Sequence, residues 1–115
     1  MQYTRIYSDD KGETHFEDIQ VPLIDNGLIG QLSQDYPVKA LQFRENSADY
    51  NWDFHTAPAR QFIVLLDGEI EITNSLGQVR TFKGGDILLV EDTSGKGHKT
   101  RHLKQAVRKS IFIKL

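Results

Sequence analysis

The sequence predicts a single all-β domain, on three observations. Short runs of alternating apolar and polar residues recur along most of the chain. Turn-forming sites such as Asp67-Gly68, Asn74-Ser75-Leu76-Gly77 and Gly84-Gly85 separate them. No stretch carries the three-to-four-residue apolar spacing of a long amphipathic helix. Many short strands joined by regular turns build sandwiches or barrels. A length of 115 residues fits one domain and is enough to bury a core without covalent staples.

The elements follow in order. His15 to Leu23 reads as a strand ended by the loop Asp25-Asn26-Gly27, and Gly30 to Pro37 is polar and irregular. Val38 to Arg44 alternates, with Leu41 and Phe43 on one face, and Glu45 to Asp49 forms a loop. Tyr50 to Thr56 and Arg60 to Leu66 are the next strands. Glu69 to Thr73 alternates cleanly, Ile70 and Ile72 inward and Glu69 and Glu71 outward. Gln78 to Phe82 and Asp86 to Val90 follow; then a polar loop, Asp92 to Gly97, runs into a strand from His98 to Leu103. Val107 to Leu115 closes the chain. Gly68, Gly84 and Gly85 are expected to supply turn dihedrals. Residues 1–37 are patterned more weakly and read as N-terminal edge strands or a dimer arm; the barrel proper spans about 38–115.

Composition excludes several classes. The chain has no cysteine, so disulfides, thiolate nucleophiles and cysteine zinc sites are absent. Hydrophobic residues are 38% and charged residues 26%, ordinary for a globular protein, and the net charge of -2 argues against non-specific nucleic-acid binding. Lys96, Lys99, Arg101, Lys104, Arg108 and Lys109 cluster late and read as a solvated face, with an anionic ligand or partner as the other reading. No segment approaches the ~20 apolar residues of a membrane span. The N-terminus lacks the apolar run of a signal peptide, and a cytoplasmic location is expected.

The chemistry-bearing residues lie between Trp52 and His102. His55-Thr56-Ala57-Pro58-Ala59-Arg60-Gln61 is followed by Gly68; after a hairpin comes Gly85-Asp86-Ile87-Leu88-Leu89-Val90, then a Gly-containing loop and His98. In order and spacing this resembles the two cupin motifs, G-x5-H-x-H-x3–4-E-x6-G and G-x5-P-x-G-x2-H-x3-N. His55 falls at the first histidine, Gln61 at the glutamate, Gly68 at the closing glycine, Gly85 at the opening glycine of the second motif and His98 at its histidine. Asp49 replaces the opening glycine, Ala57 the second histidine and Glu91 the proline, and His102 lies where the family often has asparagine. The resemblance implies a single-domain cupin jelly-roll β-barrel.

In metal-binding cupins, three histidines and a glutamate hold iron, manganese, nickel or zinc. Carried over, that implies a divalent metal on His55, Gln61 and His98. Ala57 has no ligand atom and Gln61 offers only a neutral oxygen, so the set is incomplete unless His102 or Asp53 completes it. The other reading is a metal-free cavity in which these side chains bond one another, a small ligand or water.

On strand parity His98, Thr100 and His102 project together, as do Gln61, Ile63 and Leu65. Arg60 and Arg101 then point away, Trp52 and Phe54 face opposite to His55, and Tyr50 also lies off the His55 face. The motif resemblance, with which this parity agrees, implies a ligand pocket of His55, Gln61, His98 and His102; His15, outside the motifs, reads as surface. A phosphate loop at Ser94-Gly95-Lys96-Gly97 fails, because a strand and not a helix follows. Ser94, His98 and Asp92 make a triad on paper only, since a triad is defined by geometry. The expected function is small-molecule binding in the barrel of a homodimer. The alternative is a metal-dependent or metal-free oxygenase, isomerase or epimerase, with His55 or His98 as metal ligand or general base.

Overall fold

A computed structural model describes all 115 residues. Twelve strands form: β1 Gln2–Ser8, β2 Thr14–Gln20, β3 Ile24–Asp25, β4 Gln31–Leu32, β5 Ala40–Asn46, β6 Asn51–His55, β7 Gln61–Leu65, β8 Glu69–Thr73, β9 Val79–Lys83, β10 Ile87–Val90, β11 His98–His102 and β12 Arg108–Lys114. The only helical piece is a short turn at Gly27–Ile29. No helix is long and apolar enough to cross a membrane.

Two sheets carry the molecule. One has six strands in the order β2-β1-β10-β7-β12-β5, the other four in the order β6-β11-β8-β9, and β3 pairs β4 as a separate hairpin. The all-β expectation stands, as sheets that face each other across a core rather than as one closed barrel. Ile6, Leu65 and Leu88 from the first sheet and Ile70, Ile72 and Phe82 from the second are buried in a common cluster. The alternation read in Glu69 to Thr73 is what points Ile70 and Ile72 into it. Full burial of such side chains contributes about 1.5–3 kcal/mol each.

The N-terminal expectation needs correction. β1 is no edge: it pairs antiparallel with β2 and parallel with β10, in the register Thr4↔Leu88 to Ile6↔Val90. Thr4 and Ile6 point inward and are buried. Only β2 and the small hairpin fit the description of edge elements. Gly84 also differs from its expected role. Gly68 and Gly85 adopt positive φ, but Gly84 does not. It instead lets the backbone pass Asp67, whose Cα would lie 2.9 Å from an added Cβ.

A local irregularity decides the site. β6 and β11 pair His55 with His98 and Trp52 with Thr100. Asp53 and Phe54 therefore stand opposite Lys99 alone, which is a β-bulge. An extra residue reverses the in-out parity along the strand. Trp52 and Tyr50, expected to face away from His55, come onto its side.

Candidate functional site

Between the sheets lies a cavity of about 180 Å³. Its apolar walls include Ile63, Leu88 and Val90 from one sheet and Ile70 and Ile72 from the other. The polar groups fall into a histidine set (His55, Gln61, His98, Thr100) and an arginine set (Arg44, Arg108, with Tyr50). No aspartate or glutamate lines it.

The histidine set is held by its backbone surroundings. His98 opens β11 and is buried; its Nδ1–H donates to Asp92 Oδ2 at 2.5 Å, and Asp92 is fully buried. His55 closes β6, and its Nδ1–H donates to the Asp53 carbonyl at 2.8 Å. With its Nδ1 protonated, the neutral His55 ring presents Nε2 as an acceptor. The ring centroids are 4.6 Å apart. Trp52 stacks on His55 at 3.7 Å, nearly parallel. Burial holds the His55 pKa below its ordinary value. Gln61, 1% exposed, leaves its Oε1 without a protein partner.

Gly97 lets this set assemble. It is buried with φ of +73°, and a Cβ there would overlap the His55 carbonyl. Only glycine admits both that dihedral and that approach. The loop bearing Asp92 is also clasped from the N-terminal half: Lys96 N–H donates to Gly12 O at 2.9 Å, Ser8 Oγ donates to Ser94 O at 2.7 Å, and Thr14 Oγ1 donates to Gly97 O.

Arg108 was read from sequence as part of a solvated basic face, and it is not. It is 5% exposed, while Lys96, Lys99, Arg101, Lys104 and Lys109 are exposed as expected. Its Nε–H donates to His102 Nε2 and its Nη2 to Asn46 Oδ1, both at 3.0 Å. Burial lowers its pKa. Arg44 lies with its guanidinium 3.7 Å over the Phe112 ring. Parity carried the signal for Arg108, since Arg108, Ser110 and Phe112 alternate inward along β12.

The structure thus brings His55, Gln61 and His98 together, as the motif positions imply. His102 is not among the lining side chains. It lies one layer back, neutral, accepting from Arg108 and packed on Tyr50 at 5.4 Å. Burial and the nearby Arg108 hold its pKa low. Asp53 is exposed, its Oδ1 accepting the Phe54 N–H, and supplies nothing to the cavity. Asp92 and His98 pair, but Ser94 joins through its carbonyl to Ser8 and not to His98. Arg60 and Arg101 point outward to Glu91 and Glu71 as read.

The donor set does not fit a tightly held divalent ion. Two imidazoles and a neutral amide converge, no group of three or more His, Cys, Asp or Glu side chains forms, and two guanidinium cations share the space. Tight sites usually supply three or more protein ligands.

No protein-family profile matches the chain, and no curated protein does. Solved structures do. The Schizosaccharomyces pombe Cnp3 cupin domain aligns with a TM-score of 0.50 at 12% identity, over 99% of this chain and 88% of that one. The fold is cupin-like. A Salmonella typhimurium protein assigned as ethanolamine utilization protein Q aligns at 0.49 and 12% identity, over 99% and 94% of the two chains. Neisseria meningitidis protein NMB1881 aligns at 0.48 and 16%, over 84% and 82%. At these identities the likeness concerns the fold alone.

Proposed function

We propose that the chain binds a small molecule in the cavity between its two sheets. The observation that carries this is the buried Asp92–His98 pair at the cavity wall, beside an unpartnered Gln61. Buried polar groups without partners are costly, so an arrangement that leaves acceptors facing a cavity suits a ligand that donates to them. A thermal-shift screen with a set of small metabolites tests it on wild type, His98→Ala and Gln61→Ala. Compounds that stabilise wild type should lose that effect in both variants. Equal stabilisation of all three would place binding elsewhere and overturn the proposal.

A second reading, proton transfer on the bound molecule, is favoured by one specific observation. The bulge in β6 brings Tyr50 into the cavity with the Asp92–His98 pair. A carboxylate-backed imidazole is a suitable base, and the Tyr50 phenol is a proton donor in the same cavity, kept protonated but weakened as an acid by burial. Incorporation of deuterium from D2O into a bound ligand, lost in Tyr50→Phe, would mark the enzyme. Absence of exchange would leave the binding function alone.

Pairing of two copies belongs to the same proposal. β5 ends the six-stranded sheet with its outer edge unpaired, Leu41 and Phe43 are exposed there, and the β3–β4 hairpin exposes Ile24 and Leu32. Unpaired apolar edges favour association. Sedimentation should show a dimer for wild type and a monomer for Phe43→Lys; a monomeric wild type would refute it.

A further inference from the structure

The sequence has six arginines, and four of them meet a carboxylate: Arg5 and Arg60 bond Glu91, Arg80 bonds Asp18 and Arg101 bonds Glu71. The two without one, Arg44 and Arg108, both line the cavity. Arg108 is the buried member, and its partners are the neutral acceptors His102 and Asn46. Its Nη1 makes no protein hydrogen bond. Arg44 bonds only Gln42 Oε1, at 3.0 Å. A buried cation normally has a counter-charge, because desolvation is offset only by pairing. Here no carboxylate reaches ion-pair distance of Arg108, and Asp67 acts on it only from farther away.

From this we infer that the cavity's ligand is a small organic carboxylate, and that Arg108 is the side chain that binds its charged end. This rests on the reading of the cavity as a ligand site. A guanidinium offers a planar fork of N–H donors that matches a carboxylate, and charge-assisted bonds of this kind are the strong ones. Apolar residues dominate the remaining wall, including Ile63, Ile70 and Leu88. They suit a hydrocarbon body and not a fully hydrated inorganic anion. A dry cavity of about 150 Å³ accepts benzene, so 180 Å³ has room for an acid of about benzoate size. At the histidine set two acceptors face the cavity, Nε2 of His55 and Oε1 of Gln61. They call for a hydrogen-bond donor, such as a hydroxyl, on the acid's other end.

The probes are benzoate, 4-hydroxybenzoate, 4-hydroxybenzamide and inorganic phosphate, titrated by calorimetry into wild type, Arg108→Gln and Gln61→Ala. Melting curves of the unliganded variants check that each folds, and Arg44→Gln serves if Arg108→Gln does not. The expected result is that 4-hydroxybenzoate binds wild type more tightly than either benzoate or the amide. It should lose about tenfold or more in Arg108→Gln, while the amide changes little between those two proteins. Phosphate should bind weakly or not at all. If the amide binds as well as the acid, and both lose affinity in Gln61→Ala, the cavity takes a small molecule but the carboxylate assignment fails. If phosphate is the tightest of the four, the anion is a phosphate and this inference is overturned. If none of the four binds wild type, the inference and the cavity reading fail together.

Discussion

The two polar sets of the cavity are held in opposite ways. At the histidine set each ring is oriented by an oxygen acceptor, Asp92 behind His98 and the Asp53 carbonyl behind His55. The Asp92–His98 bond is made within the protein, while Asp92 Oδ1 and Gln61 Oε1 stay without a protein partner. At the arginine set the buried Arg108 leans on neutral acceptors and lacks its counter-charge. Removing a member should therefore have different consequences at the two places. One set is oriented by bonds inside the protein, and the other gains most when something charged arrives.

The largest way to break this contrast is Gly97→Ala. A methyl group would overlap the His55 carbonyl and force a side chain into positive φ. The expected loss is about 3 kcal/mol or more in urea denaturation. A loss below ~1 kcal/mol would mean that the two strands do not need this close approach.

His98→Leu comes next. It leaves Asp92 buried without its partner. Breaking a buried pair in this way costs about 3–5 kcal/mol. Arg108→Met is the matched change at the other set. Replacing a buried, unpaired cation with an apolar chain removes a desolvation cost, offset by the bonds lost to Asn46 and His102. The unliganded protein should shift by no more than about 1 kcal/mol. Equal losses in the two variants would erase the distinction between the sets.

The smallest effect is in pH. His102 has its folded pKa lowered by burial and by Arg108, so the unfolded chain takes up that proton first. Its contribution is full above about pH 6.5 and is lost as the pH falls below that. Arg108→Met should flatten this slope, because the neighbouring cation is gone. Melting temperatures between pH 7.5 and 5.5 would show it, and an unchanged slope would remove Arg108 as a cause.

How much of this was legible in the sequence follows from what sets each feature. Strands such as Glu69 to Thr73 were readable because one face is buried and the other wet, which writes a period of two. His55, Gln61 and His98 were readable from motif spacing, and the structure brings them together. Tyr50 and Trp52 were assigned to the wrong side because parity assumes a regular strand, and nothing in Asn51 to His55 announces a bulge. Arg108 was hidden by its own charge, which suggests solvent unless the alternation of Ser110 and Phe112 is weighed against it. Residues 1–37 were read as edge strands or a dimer arm because their patterning is weak, and in β1 Ile6 alone joins the core cluster. Its neighbour β10 lies far along the chain, and parallel pairing leaves no hairpin signal.

That distant pairing bears on when the site comes into being. Thr4 lies beside Leu88, and the Gly12 turn grips the loop that carries Asp92 into His98. Contacts between such separated segments form slowly, because the intervening chain must be closed first. During synthesis the first strand waits, unpaired on one side, until β10 has emerged. The histidine set should therefore be among the last parts to become native, and its protection from hydrogen exchange among the last to appear on refolding.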